Sequence, residues 1–322
     1  MRIGILGGGS CFALNLAKHL SECSIDHFGI GRSPRKPPAM WPVEHHYRYY
    51  QGHVVDQLPA VMAILDTERP DVVVNIAAQG EGAASFGANA PDFFRTNAFG
   101  LSRLVLELQK RDYLARFIQI GSSEVYGSPD HAALESDLLE PTSPYSISKA
   151  AFDQYLQSMW RTQKFPMNII RPSNCYTPGQ QLHRIIPKAI ICALKGEKLP
   201  LHGGGMAQKS YLHATDLSHA ILQIAESGRM GQIYNVGPDA PVTIRHVVEQ
   251  VAKACDIDFS ALVDEAPDRM GQDARYHLNC DKMKDIGWKQ TISLEAGIED
   301  MADWVLAFPE LLQMDTAYKH LL

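Results

Sequence analysis

Cysteine is scarce in this 322-residue chain: six residues, at 11, 23, 175, 192, 255 and 280, with no C-x-x-C pair among them. That scatter excludes a zinc framework and a disulfide scaffold, and it predicts a reducing, cytoplasmic setting. Apolar runs are short as well, and nowhere do roughly eighteen such residues follow one another, so no membrane span is predicted. The opening Met1-Arg2-Ile3-Gly4-Ile5-Leu6-Gly7-Gly8-Gly9 is too brief and too broken by glycine for a secretory signal. Charge of one sign is not concentrated either. Lys and Arg number 30 against 36 Asp and Glu, a formal net charge of -6. No long basic run could track a phosphate backbone, which argues against a nucleic-acid partner. His45 and His46 lack both the i, i+4 spacing and the carboxylate of a helical metal site, so no metal is expected. Internal repeats and low-complexity segments are absent.

What is present is 45% hydrophobic content, enough for a substantial core, arranged in an alternating rhythm. Short apolar runs at 2–6, 27–30, 72–76, 117–120 and 167–170 are separated by amphipathic stretches at 13–20, 57–65, 99–110 and 144–161. This βαβ alternation predicts an α/β, doubly wound parallel sheet of Rossmann type covered on both faces. From about Cys175 the pattern loosens around Pro178-Gly179 and Gly203-Gly204-Gly205, with a helix predicted at 186–195. The expected organisation is a cofactor-binding domain over 1–174 and a smaller α/β substrate lobe over 175–322. Residues 232–236 are expected to return to the main sheet.

Gly7-Gly8-Gly9-Ser10-Cys11-Phe12-Ala13 follows the first strand, where a glycine turn would present free backbone N–H groups to a cofactor pyrophosphate at a helix N-terminus. Ser10 and Ala13 stand at the second and third glycine places. The second strand ends in Gly29-Ile30-Gly31-Arg32-Ser33-Pro34-Arg35-Lys36, without the acidic residue that would bind the ribose 2′-hydroxyl of NAD. Arg32, Ser33 and Arg35 suit a 2′-phosphate instead, because guanidinium makes charge-assisted bonds to phosphate oxygens. NADP is therefore favoured over NAD. Gly121-Ser122-Ser123-Glu124-Val125-Tyr126-Gly127 places hydroxyls and a carboxylate at a strand's C-terminal end, the edge where open α/β sheets bind ligands. In Ser143-Pro144-Tyr145-Ser146-Ile147-Ser148-Lys149 a helix-start signal precedes a phenol and an ammonium on one helical face. The Lys149 charge favours the Tyr145 phenolate, making it a base near neutral pH.

Taken in order, these motifs resemble the extended short-chain dehydrogenase/reductases that act on nucleotide sugars, and within them the nucleotide-sugar 4,6-dehydratases. The resemblance spans nearly the whole chain. It includes Val74-Asn75-Ile76-Ala77-Ala78-Gln79, Thr96-Asn97-Ala98-Phe99-Gly100 and Arg171-Pro172-Ser173-Asn174-Cys175-Tyr176. It continues through Ile185-Ile186-Pro187, Asp268-Arg269-Met270-Gly271-Gln272-Asp273-Ala274-Arg275-Tyr276 and Gly287-Trp288. The resemblance implies that Ser122, Glu124, Tyr145 and Lys149 are catalytic, with Tyr145 taking the sugar 4-hydroxyl proton and Glu124 the C5 proton. It also implies that Gly7, Gly9, Ser10, Cys11, Phe12, Arg32, Ser33, Arg35, His53, Val54, Ala77 and Ala78 surround the cofactor. Gln79, Ser123, Asn174, Lys188, Lys209 and Arg269 would line the substrate, and the protein would be a homodimer.

Three departures from that pattern stand out. Lys209 replaces the usual Arg, which turns a bidentate phosphate contact into a point charge. His53 stands where an Asp commonly meets the adenine, and Ser123 where thymidine-diphosphoglucose dehydratases carry an Asp that protonates the leaving hydroxyl. The rival readings are an NADPH-dependent 4-ketosugar reductase, a 4-epimerase and a decarboxylase. A non-catalytic NADP-sensing or scaffold protein would have little use for the catalytic four.

Overall fold

The computed structural model describes residues 1–41, 47–80, 83–267 and 277–317. The apolar runs form parallel strands β1 (Arg2–Leu6), β2 (Asp26–Gly31), β4 (Val72–Asn75), β5 (Arg116–Ile120) and β6 (Met167–Pro172). An edge strand β3 (Arg48–Gln51) and a late strand β7 (Ile233–Val236) complete one seven-stranded sheet. Its order is β7-β6-β5-β4-β1-β2-β3, every pair parallel. The chain reverses its direction of travel across the sheet between β1 and β4, which opens a crevice at their C-terminal ends. Helices α1 (Cys11–Glu22) and α7 (Ala214–Ser227) cover one face through Leu14, Leu16, Leu217 and Ile221. The opposite face carries α2 (Leu58–Glu68), α4 (Leu101–Leu108) and α5 (Pro144–Gln163), whose Val61, Leu104 and Leu156 are fully buried. Each such side chain withdrawn from water contributes about 1.5–3 kcal/mol, which is what holds the layers together.

Beyond β6, α6 (Ile185–Lys195), α8 (Ile244–Ala254) and α9 (Leu294–Ala307) enclose a second core around Ile190, Val251 and Met301. Among the described residues no helix is long and apolar enough to cross a membrane.

Local chemistry sets the element ends. Helix α5 begins with a capping box, in which the Ser143 side chain accepts from Ser146 N and Ser146 returns a bond to the Ser143 backbone. It closes at Lys164, whose φ of 56° is left-handed. Helix ends expected from periodicity are displaced by a turn or less. The sequence reading of 99–110 as one helix is corrected: α3 (Ala90–Phe94) runs into a π-helical segment, Arg95–Gly100, before α4 begins. Strand β3 was not expected at all.

Candidate active site

Gly7 has a φ of 79° and lies so close to β4 that a Cβ there would come within 2.6 Å of Ala77 N. Only glycine permits both the turn and that approach. Ser10 folds its hydroxyl onto the start of α1, accepting from Ala13 N at 3.2 Å as an N-cap. Its side chain thereby lies along the helix end. Cys11, the first residue of α1, is buried, and burial pushes its thiol up to about 11, which makes it an unreactive packing group.

At the end of β2, Gly29 and Gly31 clear space for two tyrosines reaching across from the β3 side. A Cβ at Gly29 would sit 1.8 Å from Tyr47 Oη, and one at Gly31 2.5 Å from Tyr49 Oη. Tyr49 donates to the Ser33 carbonyl at 2.5 Å. Arg35 donates to the Tyr47 carbonyl at 2.7 Å and stacks over Trp41 at 6.0 Å. The guanidinium is thus held beside the loop, and Arg32 is exposed on it. His53 bonds Asp56 at 2.7 Å, and Asp56 also pairs with Arg95 of the π-helical segment. Val54 is buried beneath them.

The donor set around the glycine turn fits the pyrophosphate of a dinucleotide. The turn opens onto the N-terminus of the twelve-residue α1, and Gly29 through Lys36 contain two arginines and a lysine but no carboxylate.

Past β4, Ala77 is half-buried, Ala78 exposed and Gln79 half-buried. Asn97, fully buried in the π-helical segment, exchanges two hydrogen bonds with the Gln79 backbone at 2.7 and 2.9 Å. Its amide also donates to Ser148 Oγ at 3.0 Å, and Ser148 donates to the Tyr145 carbonyl at 2.6 Å. A single amide therefore ties the β4 edge to the turn of α5 that bears Tyr145. Tyr145 N donates to Ser85 Oγ at 3.1 Å, and its ring meets Phe93 edge-on at 6.3 Å. In the sequence Asn97 is visible only as part of the Thr96–Gly100 motif. Its π-helical setting, a geometry frequent at functional sites, has no pattern in the sequence to announce it.

At the C-terminal end of β5, the buried Ser122 caps the 3₁₀ turn Ser123–Tyr126, accepting from Glu124 N at 3.2 Å. Glu124 is half-buried, and Ser123 is buried beside a narrow recess lined by Tyr126, Gly127 and Pro129. Lys149 Nζ donates to the Ile120 carbonyl at 2.6 Å, so its ammonium lies at the same strand end. Burial lowers the Lys149 pKa to about 8, with Asp153 opposing the fall.

Under this edge runs a buried polar chain that the sequence reading left without a role. Asp153 Oδ2 accepts from Arg171 Nε at 2.9 Å, both side chains 1% exposed. Arg171 also donates to Tyr126 Oη at 2.8 Å, and Tyr126 donates to Asn235 Oδ1 of β7 at 2.8 Å. An arginine inside a fully buried strand, Met167–Pro172, was the available signal, since such a charge is buried only when paired.

The remaining substrate candidates lie beyond β6. Asn174, in the short strand Asn174–Tyr176, donates its backbone N–H to Ser210 O at 3.0 Å. Lys209, which precedes Ser210 in the chain, sits half-buried in the strand Gln208–Lys209. Lys188 is half-buried on the first half of α6. Arg269, like His45 and His46, lies outside the described residues. A separate cleft of about 530 Å³ borders Gly237, Asp239, Lys284 and Trp288, and none of the candidate residues lines it. Among the described residues no group of three or more His, Cys, Asp or Glu is placed to hold a metal.

The chain is similar to known proteins in both sequence and fold. A human dTDP-D-glucose 4,6-dehydratase is 32% identical over 267 residues, covering 81% of this chain and 75% of that protein. An Arabidopsis thaliana protein named as a trifunctional UDP-glucose 4,6-dehydratase, 3,5-epimerase and reductase is 31% identical over 268 residues, 82% of this chain. The match spans only 40% of that longer protein. The structure of a Bacillus anthracis dTDP-glucose 4,6-dehydratase in complex with NAD superposes with a TM-score of 0.86 at 27% identity, covering 96% of this chain and 98% of that one. A family model described as "NAD dependent epimerase/dehydratase family" matches residues 3–237, and with these relatives it establishes that the chain belongs to that family.

Proposed function

We propose that this chain is a nucleotide-sugar 4,6-dehydratase that converts an NDP-hexose to an NDP-4-keto-6-deoxyhexose on tightly bound NADP. The observation that carries the reading is Glu124. The Ser122 cap holds it at the β5 edge, beside the strand end that Lys149 Nζ reaches. In this reading Tyr145 takes the proton of the sugar 4-hydroxyl while Ser122 hydrogen-bonds the same oxygen. NADP, when bound, supplies the hydride acceptor for C4 and the hydride donor for C6, so no net oxidant is consumed. The ketone at C4 acidifies the C5 hydrogen, which Glu124 removes as a proton and passes to the departing 6-hydroxyl. Once hydride is at C6, a proton equivalent to the one Tyr145 took from O4 restores C5 through the same acid groups or water. Ser123, a hydroxyl of ordinary acidity, lends that step no proton. Lys149 favours the Tyr145 phenolate, and Asn174, Lys188, Lys209 and Arg269 hold the diphosphate. Residues 1–174 with 232–236 form the body that carries the chemistry, and the rest of the second lobe binds the nucleotide sugar. Product mass after incubation with a panel of nucleotide hexoses tests this. Loss of one water is expected, whereas a gain of two hydrogens or loss of carbon dioxide would replace the reading.

The cofactor preference rests on Arg32, Ser33 and Arg35. Arg32 is exposed on the loop that follows β2, so Arg32→Ala is the informative change. It should weaken NADP by about tenfold to a hundredfold, the worth of a charge-assisted hydrogen bond, and leave NAD nearly unchanged. Calorimetric titrations giving the parent protein equal affinity for both cofactors would remove the preference.

The homodimer reading draws on Phe94, Phe99, Leu106 and Ile147, exposed by 38 to 58% along α3, the π-helical segment, α4 and α5. Large apolar side chains left exposed on neighbouring helices suit an isologous two-fold interface. Light scattering should report a dimer at micromolar concentration and a shift to monomer for Phe99→Asp combined with Leu106→Asp. A monomeric parent would end this reading.

A further inference from the structure

Lys149 and Asp153 stand four residues apart on the buried side of α5, one helical turn from each other. Asp153 Oδ2 is engaged by Arg171, but Oδ1 is buried without any hydrogen-bond partner. A carboxylate oxygen removed from water in this way is strongly unfavourable unless cations face it. Two act on it, Arg171 by a direct ion pair from β6 and Lys149 through its charge from the same helix, and they oppose a burial that raises the Asp153 pKa above the usual carboxylate value. Lys149 in turn faces only Asp153 as a charge and the Ile120 carbonyl of β5 as an acceptor among the interactions resolved around it.

We propose that Asp153 is a positioning residue whose half-satisfied carboxylate keeps the Lys149 ammonium charged and aimed at the β5 edge. It acts through Lys149 and touches neither substrate nor cofactor. The Arg171–Tyr126–Asn235 chain fixes the carboxylate from the far side, so the charge is anchored across β6 and β7. With Asp153 present, burial already brings the Lys149 pKa down to about 8. Without it, the amine would be neutral at neutral pH, and the Tyr145 phenolate would lose its counter-charge.

This deepens the dehydratase reading, which needs a charged Lys149, and the test reads Lys149 whether or not the chain dehydrates sugars. Asp153→Asn alone would strand the Arg171 charge, so it is combined with Arg171→Met, which removes both ions together. Protein labelled with ¹³C at lysine Cε is titrated by NMR, and the Lys149 signal is assigned by its loss in Lys149→Met. In the double variant the Lys149 midpoint should fall by about one to three pH units relative to the parent. Removing the Arg171 cation can only raise that midpoint, so a fall belongs to Asp153. An unchanged or raised midpoint in a folded double variant would overturn the proposal. Asp153→Glu, which keeps the charge, should hold the midpoint near the parent value, and a fall as large as in the double variant would also overturn it.

Discussion

Glu124→Gln should slow water loss from a nucleotide hexose by about 10²- to 10⁴-fold, the usual worth of a positioned proton-transfer group. The amide keeps the size of the carboxylate and leaves the backbone N–H that Ser122 caps, so the turn Ser123–Tyr126 should persist. What disappears is the acceptor for the C5 proton. Oxidation at C4 does not need that acceptor, and the variant should therefore show the near-ultraviolet absorbance of reduced cofactor without dehydrated product. Tyr145→Phe should suppress even this first stage, since the phenol oxygen that receives the O4 proton is gone. The contrast between the two variants is the diagnostic. In the parent, deuterium placed at substrate C4 should reappear at product C6. Stoichiometric consumption of added NADPH with a 4-keto-6-deoxy sugar, undiminished by Glu124→Gln, would make the chain a reductase.

Arg171→Met should be the most damaging single change to stability. It leaves Asp153 buried with one oxygen newly orphaned beside an oxygen that has no partner already. Tyr126 loses both a hydrogen-bond donor and a cation 4.9 Å from its ring centroid. Breaking one side of a buried pair costs about 3–5 kcal/mol, a large share of a typical total of about 5–15 kcal/mol. The melting temperature should fall on the order of 10 °C. Adding Asp153→Asn should recover about half of that loss or more, because the stranded charge is then removed. Calorimetry showing a single variant as stable as the parent would mean that water, not Arg171, satisfies Asp153.

The main sheet was legible because its strands are nearly continuous apolar runs, as buried parallel strands must be. Strand β3 was not, since Arg48-Tyr49-Tyr50-Gln51 is half exposed at an edge and carries a polar residue at each end. Its two adjacent tyrosines were the overlooked hint. The site divided along the same line. Ser122, Glu124, Tyr145 and Lys149 sit in local motifs, and the structure puts the first two and the Lys149 ammonium at the β5 strand end. Asn97 and the Asp153–Arg171 pair depend on partners 18 to 51 residues away, which no local spacing encodes. Arg171 still carried a clue, because a guanidinium in a buried strand demands a carboxylate, and Asp153 lies on the helix just before it. The aromatic trio Trp41, Tyr47 and Tyr49 was hidden for a different reason. Its place is carved by glycines on another strand, and a missing side chain leaves no pattern of its own.

The late arrival of β7 has a consequence for biosynthesis. Its Asn235 accepts from Tyr126 at the side chain and donates its backbone N–H to Glu135 Oε1, so it closes the polar chain beneath the catalytic helix. On the ribosome, β6 emerges well ahead of β7 with one edge unpaired and the Tyr126 hydroxyl without its acceptor. At about 5–20 residues per second the nascent chain spends several seconds in that state. An open parallel edge is a template for other strands, so this interval is when a translating chain is most exposed to mispairing. Synonymous codon changes that slow passage through the segment between β6 and β7 should lower soluble yield while leaving the finished protein unaltered.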